Sequence, residues 1–145
     1  MTRYLLTLTG SICFLLIGFV GKAQESGTLT IEAVNFESNK GIAIVHLFRK
    51  QDDVPKKPFM QATGKIIDSK AKIVFNALPY GEYAAILFHD ENLNGVLDHK
   101  FGFPNEPMGF SNQWKLSLFS GMPTFPKLKF EFSAKRQECS LTIRE

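Results

Sequence analysis

The feature that most constrains the fold is a period-two alternation of apolar and polar residues, which recurs along the chain after residue 27. In residues 28–36, Leu29, Ile31 and Ala33 fall on one side of the alternation. Successive side chains of a β-strand point to opposite faces, so this pattern is typical of strands with one buried face. No stretch carries a sustained helical period. The sequence therefore predicts an all-β fold.

The alternating segments are short and are separated by residues that favour turns. Residues 41–49 alternate two apolar sets, which predicts a central strand buried on both faces, and with residues 28–36 they are expected to form a hairpin. Further strands are predicted at residues 60–67, 72–75, 83–89, 127–132 and 139–143. About seven short strands with closely spaced turns predict an antiparallel β-sandwich that is immunoglobulin-like or transthyretin-like.

The first 23 residues have the composition of a secretory signal peptide. Arg3 provides a basic start, residues 4–20 are almost uninterrupted apolar residues, and Gly21-Lys22-Ala23 suits cleavage after Ala23. The apolar run, roughly 17 residues long, is at the lower limit for spanning a bilayer. We therefore expect residues 24–145 to be exported, to the periplasm or outside the cell, as one domain without a membrane span.

The charge of the mature chain argues against nucleic acid as a partner. Removal of Arg3 and Lys22 from the 17 basic residues leaves 15 against 14 acidic ones, a net charge of +1. A nucleic-acid binder is expected to carry a basic surface or stripe. Cys139 is then the remaining cysteine, so no intrachain disulfide is possible, and it is expected to be a buried strand residue.

Residues 89–100, H-D-E-N-L-N-G-V-L-D-H-K, carry oxygen-bearing groups at the spacing of a calcium-binding loop. With Asp90 as position one, the side chains of Asp90, Asn92, Asn94 and Asp98 fall at positions one, three, five and nine. Position seven provides the backbone carbonyl of Val96. Gly95, at position six, permits the sharp reversal that such a loop needs. An EF-hand is excluded because position twelve is Phe101 in place of glutamate and no helix flanks the loop.

Glu106 is the candidate for the missing carboxylate, since residues 101–107 can fold back over the loop. The predicted ion is a weakly bound, structural Ca²⁺, with affinity in the millimolar to tens of micromolar range of extracellular modules. It would order residues 99–112. The alternative is a purely structural turn, because Asn94-Gly95 is by itself a strong hairpin signal.

A second candidate site lies in residues 109–114, G-F-S-N-Q-W. An exposed aromatic group with amides nearby would suit the face of a sugar, which makes Phe110, Asn112 and Trp114 candidate ligand-binding residues. The other interpretation is that the two rings pack over the open end of the sandwich. The aromatic-rich composition of the chain favours packing.

Three motifs in order resemble a bacterial family: L-P-Y-G-E-Y at residues 78–83, H-D-E-N-L-N-G-V-L-D at 89–98, and G-F-P-N-E-P-M-G-F-S-N at 102–112. The chain resembles, over about residues 29–143, the secreted proteins of domain of unknown function family 2141. The resemblance implies a small exported β-sandwich and provides no catalytic residues. Family positions map onto Gly81, Gly95, Gly102, Glu106 and Gly109, and Phe101 departs from the polar residue expected near the loop end.

The residues do not indicate an enzyme. His46, His89 and His99 have no zinc-pair spacing. A hydrolase dyad of His89 with Ser111 is conceivable, but no nucleophile-elbow motif supports it. We therefore expect a non-enzymatic module whose partner is a protein or glycan of the cell envelope. The alternative is a small carbohydrate-binding module in which residues 90–98 are only a turn.

Overall fold

The computed structural model describes residues 24–117 and 119–144, and the predicted signal peptide lies outside them. The strands of this part of the chain are β1 (Ser26–Val34), β2 (Ile42–Phe48), β3 (Met60–Ile67), β4 (Lys70–Pro79), β5 (Gly81–Asp90), β6 (His99–Lys100), β7 (Phe103–Pro104), β8 (Met108–Phe110), β9 (Phe130–Phe132) and β10 (Glu138–Thr142). A 3₁₀ turn covers Ser111–Gln113, and a one-turn helix, α1, covers Phe125–Leu128. No helix of the described residues is long and apolar enough to cross a membrane.

Eight of the strands form one barrel-like sheet that is nearly closed. The order is β10-β1-β4-β3-β2-β5-β8, and β9 pairs with the start of β5. The two ends of the sheet meet where Met108 and Arg144 exchange backbone hydrogen bonds, with N···O distances of 3.1 and 2.8 Å. Closure of this kind leaves few free strand edges. The remaining strands, β6 and β7, pair only with each other.

The all-β prediction is confirmed, but an immunoglobulin-like sandwich is not, because the strands form one continuous sheet in place of two packed ones. The sheet is also not purely antiparallel, since β1 pairs with β10 in parallel. The predicted hairpin of residues 28–36 with 41–49 is wrong. β1 lies between β4 and β10, whereas β2 lies between β3 and β5. β2 is apolar on both faces, so both of its faces must be covered by other side chains. β1 has a polar outer face and needs cover on its inner face only.

Two groups of apolar side chains pack on opposite faces of β2 and β5. The inner cluster fills the sheet interior and includes Leu29, Ile31, Val45, Leu47, Ile73, Phe75, Leu87 and Phe132. The outer cluster consists of Ile44, Phe48, Ala84, Ile86, Phe88, Met108, Phe110, Phe125 and Leu128. Burial of both faces of residues 41–49 was predicted and is confirmed, and the cover on the outer face comes from residues 108–128.

The predicted strand at residues 127–132 is only partly correct. β9 begins at Phe130, and residues 125–128 form α1. Leu128 packs in the outer cluster, while Phe130 and Phe132 pack in the inner one. The chain therefore crosses from the outer cluster to the inner one within K-L-K-F-E-F. The apolar residues of this alternation do not all lie on one face of a single strand.

Cys139 lies in β10 beside Ile31 of β1, so its predicted place in a strand is confirmed. Its thiol is free. It is half-buried against the inner cluster. Burial raises the pKa of the thiol to about 11, and nearby Arg136 partly opposes that rise. The thiol is thus protonated at neutral pH, which makes it a poor nucleophile.

Candidate functional site

The predicted calcium loop follows β5 without a break. Asp90 is the last residue of that strand and is fully buried. Its carboxylate accepts hydrogen bonds from the backbone N–H groups of Asn94, at 3.2 Å, and Gly95, at 2.8 Å. Gly95 has a φ of 78°, the left-handed conformation in which glycine is preferred. The carboxylate of Asp90 therefore organises the first turn of the loop.

A second carboxylate, that of Asp98, closes the loop. It accepts hydrogen bonds from the side-chain amide nitrogens of Asn92, at 2.6 Å, and Asn94, at 3.0 Å. The amide oxygens of these two residues accept backbone N–H groups instead, from Asn94 at 3.0 Å and Val96 at 2.9 Å. The side chains of Asp90, Asn92, Asn94 and Asp98 thus all have partners within the loop, whereas Glu91 contacts Ser38 and His89 outside it.

Glu106 reaches the loop from the next segment. Its Oε2 accepts the backbone N–H of Asp98 at 3.2 Å, and the Asn105 N–H donates to the Asp98 carbonyl at 2.8 Å. Burial raises the pKa of Glu106, and the carboxylates of Asp90 and Asp98 add to that rise. Among the described residues, none of these three carboxylates forms an ion pair with lysine or arginine.

Five of the six predicted ligand residues therefore converge on one end of the sheet: Asp90, Asn92, Asn94, Asp98 and Glu106. The sixth, Val96, is exposed, and its N–H bonds to Asn94. Within residues 24–117 and 119–144, no three His, Cys, Asp or Glu side chains lie close enough together to hold a metal ion. The loop as it stands is held by its own hydrogen bonds, and Leu97 anchors it on the outer cluster.

The second candidate site is part of the packing on the outer face. Phe110 is buried in β8, and Trp114 meets it edge to face with ring centroids 4.8 Å apart. The Nζ of Lys127 lies over the Trp114 ring, 5.6 Å from its centroid. The Asn112 amide donates to the Lys127 carbonyl at 3.1 Å. These residues join the 3₁₀ turn to α1, in line with the packing interpretation.

A groove of about 440 Å³ runs beside these rings at the seam where the sheet closes. Its wall includes Phe103, Glu106, Trp114, Lys115 and Arg144. The sequence analysis did not identify Lys115 or Arg144. Arg144 comes to this place because it pairs with Met108 of β8 across the seam, and no local sequence signal indicates that contact.

His89 and Ser111 have separate structural roles. The His89 ring donates from Nε2 to the Lys40 carbonyl at 2.7 Å and meets Phe36 edge to face. The Ser111 hydroxyl accepts the N–H of Ala85 at 2.9 Å and donates to the Leu128 carbonyl at 2.5 Å. Both side chains are buried. They form no hydrogen bond with each other in the described chain, so the dyad considered for a hydrolase is absent from this structure.

The chain was compared with known proteins. No curated protein sequence and no solved structure matches it. A family model does match, over residues 31–140, and its description is "uncharacterized protein conserved in bacteria (DUF2141)". The match runs from within β1 to within β10 and includes the loop and β8. The chain therefore belongs to the DUF2141 family of bacterial proteins.

Proposed function

We propose that this protein is an exported, non-enzymatic β-module in which residues 90–98 bind Ca²⁺ weakly as a structural ion. The observation that carries the proposal is that Glu106 accepts a hydrogen bond from Asp98 at the loop that Asp90 organises, and that no described lysine or arginine pairs with these three carboxylates. The three carboxylates would have to move closer together to hold an ion, because they do not form a metal-binding group as they stand. Burial raises the pKa of Glu106, and repulsion from the carboxylates of Asp90 and Asp98 adds to that rise. A bound cation relieves that repulsion.

The chemistry of the donors favours calcium over softer metals. Carboxylate, amide and carbonyl oxygens are the ligands that Ca²⁺ takes, six to eight at a time. The ion would be held by Asp90, Asn92, Asn94, Asp98 and Glu106, with the carbonyl of Val96. Rotation of the two asparagine amides turns their oxygens toward Asp98, so the ion would replace the two hydrogen bonds that they donate to that carboxylate. The same rotation gives up the two that the amide oxygens accept from the N–H groups of Asn94 and Val96.

The expected effect of the ion is order in the segment that follows. Residues 99–112 contain the β6–β7 hairpin and β8, and Glu106 ties this segment to the loop through Asp98. A cation between these carboxylates would fix one wall of the groove at the seam. The partner for that surface, a protein or glycan of the cell envelope, belongs to the same proposal.

The alternative, a carbohydrate-binding module, has less support. A sugar stacks on a free ring face, but Phe110 is buried and Trp114 is covered by Lys127 on one side. Asn112 already uses its amide on a backbone carbonyl. The groove beside Trp114 is the one feature that favours this alternative.

The test is the melting temperature of residues 24–145 in EDTA and across a calcium series, with magnesium as the comparison ion. Calcium at a hundred times its dissociation constant should add about 2.7 kcal/mol to the free energy of unfolding. For a domain of this size that corresponds to a rise of about 10 °C. Mg²⁺ prefers octahedral sites with several waters, so its effect should be smaller.

Two variants separate the loop from general electrostatics. Asp98→Asn removes a proposed ligand charge at a half-buried position and should abolish the calcium response. Asp68→Asn makes the same chemical change in the exposed turn between β3 and β4 and should leave the response intact. A wild-type protein whose melting temperature does not respond to calcium would reduce the loop to a turn.

A further inference from the structure

Two neighbouring segments, residues 99–104 and 114–122, carry large apolar side chains, and most of those that the structure describes are exposed to solvent. We call them the apolar segments. The exposed fractions of their side chains are 91% for Phe101, 63% for Phe103, 44% for Leu116, 99% for Phe119 and 65% for Met122. Contiguous apolar exposure of this kind marks a surface that contacts a partner or a membrane.

Phe101 lies in a conformation that its own side chain does not favour. It forms, with Gly102, the two-residue turn between β6 and β7, and the φ angles of the two residues are 52° and 84°. Turns of this kind prefer asparagine or aspartate followed by glycine, and a bulky residue at positive φ is rare. The contact of its ring within the chain is with the Nζ of Lys100, 6.0 Å from the ring centroid, and the ring is otherwise open to solvent. Turn geometry does not account for a phenylalanine here, which points to a contact outside the chain.

Phe119 is also held out from the surface on a closed turn. The backbone N–H of Ser117 donates to the Ser120 hydroxyl at 2.8 Å, and the Ser120 N–H donates to the Ser117 carbonyl at 3.2 Å. Lys127 ties the turn to the domain by donating to the carbonyls of Ser120, at 2.7 Å, and Met122, at 3.0 Å. Hydrogen bonds therefore hold the turn in place, while the Phe119 side chain at its tip does not pack against the domain.

The two apolar segments lie side by side. Phe103 and Pro104 of the first segment, and Lys115 and Leu116 of the second, line the same groove. The carboxylates of Asp98 and Glu106 are bound at the base of the hairpin, while Phe101 stands at its tip. The groove therefore places the two apolar segments next to each other, with Phe101 and Phe119 on turns of these segments.

The charges of the apolar segments have one sign. Residues 99–104 and 114–122 contain Lys100, Lys115 and His99, and they contain no aspartate or glutamate. Aromatic and aliphatic side chains that project beside lysines match the interface of an anionic bilayer, where rings enter below the headgroups and ammonium groups meet phosphates. A protein partner would have to offer pockets for separate projecting tips, whereas a lipid surface adapts to them.

We propose that the apolar segments dock the protein on an anionic membrane surface. Phe101 and Phe119 enter the boundary between headgroups and acyl chains, and Lys100 and Lys115 contact the lipid phosphates. This docking needs no calcium, so it stands apart from the function proposed for the loop. It makes the protein a peripheral membrane protein.

The experiment is co-sedimentation of residues 24–145 with vesicles in EDTA. All described strands and both apolar clusters lie within these residues, and thermal unfolding of each sample establishes that it is folded. Binding is expected to vesicles of phosphatidylglycerol mixed with phosphatidylcholine, and to fall with added salt. Phosphatidylcholine alone should bind much less. Without residues 1–23, the apolar N-terminal run cannot contribute.

The variants test the two components separately. Phe101→Ala with Phe119→Ala should lower the partition coefficient by roughly tenfold or more. Lys100→Gln and Lys115→Gln should each lower it about fivefold at low salt. Ile67→Ala removes an apolar side chain that is 59% exposed outside the apolar segments, and it should change nothing.

Two results would overturn the proposal. One is a folded wild-type protein that does not sediment with anionic vesicles, or whose double phenylalanine variant sediments equally well. The other is self-association without lipid that the same double variant abolishes, which would assign the apolar segments to an interface between two copies of this chain. Sedimentation velocity on the lipid-free samples distinguishes this second result.

Discussion

At the scale of single residues, Ser111 shows how a buried hydroxyl can replace a strand. β5 pairs with β9 over Gly81–Tyr83 and with β8 over Ile86–Phe88. The interval between these pairings leaves Ala85 without a strand partner on that side. The Ser111 hydroxyl accepts the Ala85 N–H and donates to the Leu128 carbonyl, so it joins β5 to the end of α1. A buried backbone donor without such a partner is costly.

We expect Ser111→Ala to lower the free energy of unfolding by about 1–3 kcal/mol, because the Ala85 N–H would be left buried and unpaired. Ser140→Ala, on the exposed face of β10, is the matched control and should change that free energy by less than about 0.5 kcal/mol. Urea denaturation of the three proteins measures the difference. Equal stability of the two variants would show that the hydroxyl bonds contribute nothing net.

At the scale of strands, the seam between β8 and Arg144 converts an open sheet into a nearly closed one. The approach there is close. A Cβ added to Gly109 would lie 2.8 Å from the Thr142 carbonyl oxygen and 3.2 Å from Cδ2 of Leu87. Since the nearer atom belongs to the backbone, it cannot move aside as a flexible side chain does. Glycine at this position therefore lets β8 and β10 approach.

Gly109→Ala should destabilise the domain by about 1–3 kcal/mol through overpacking at the seam. Gly81→Ala is the matched control, because a Cβ there would meet nothing within 4 Å. Urea denaturation gives the free energies, and hydrogen exchange of the Met108 and Arg144 N–H groups reports the seam directly. Wild-type stability of both variants, with slow hydrogen exchange of the Met108 N–H, would contradict this prediction. The sheet would then be held closed by something other than close packing at Gly109.

At the scale of the whole molecule, the strands and the two clusters form one unit between residues 26 and 143. The inner cluster fills the sheet, and the outer cluster holds residues 108–128 against β2 and β5. The loop and the apolar segments both depend on this outer cover, through Leu97 and Trp114 respectively. The export of this unit remains a prediction from residues 1–23.

The protein expressed from its full gene should be recovered outside the cytoplasm with an intact mass that matches residues 24–145. Cleavage after Ala23 follows from the small residues at positions 21 and 23. Ala23→Lys places a long charged side chain at the cleavage position and should leave an uncleaved protein, whereas Thr2→Lys should still be processed. Recovery of the wild type at full-length mass would contradict the prediction of a signal peptide.

The sequence by itself determined where β1 to β5 and β10 lie and that β2 is buried on both faces. Alternation predicted the central strand at residues 41–49 and its two buried faces, and the D-x-N-x-N-G spacing predicted the curved loop with Gly95 at positive φ. The fold-back that brings Glu106 to Asp98 was also predicted. These features are local, because they depend on residues a few positions apart whose side chains have only two faces to choose between.

Only the tertiary structure decided which strands are neighbours. The parallel pair of β1 with β10, the separation of β1 from β2, and the seam at Arg144 join residues far apart in the chain. Periodicity reports that a face is buried but not which other face covers it. Which face covers which depends on how all the apolar faces pack together at the same time. The resulting arrangement places Ser111 beside Ala85 and forms the groove beside Trp114.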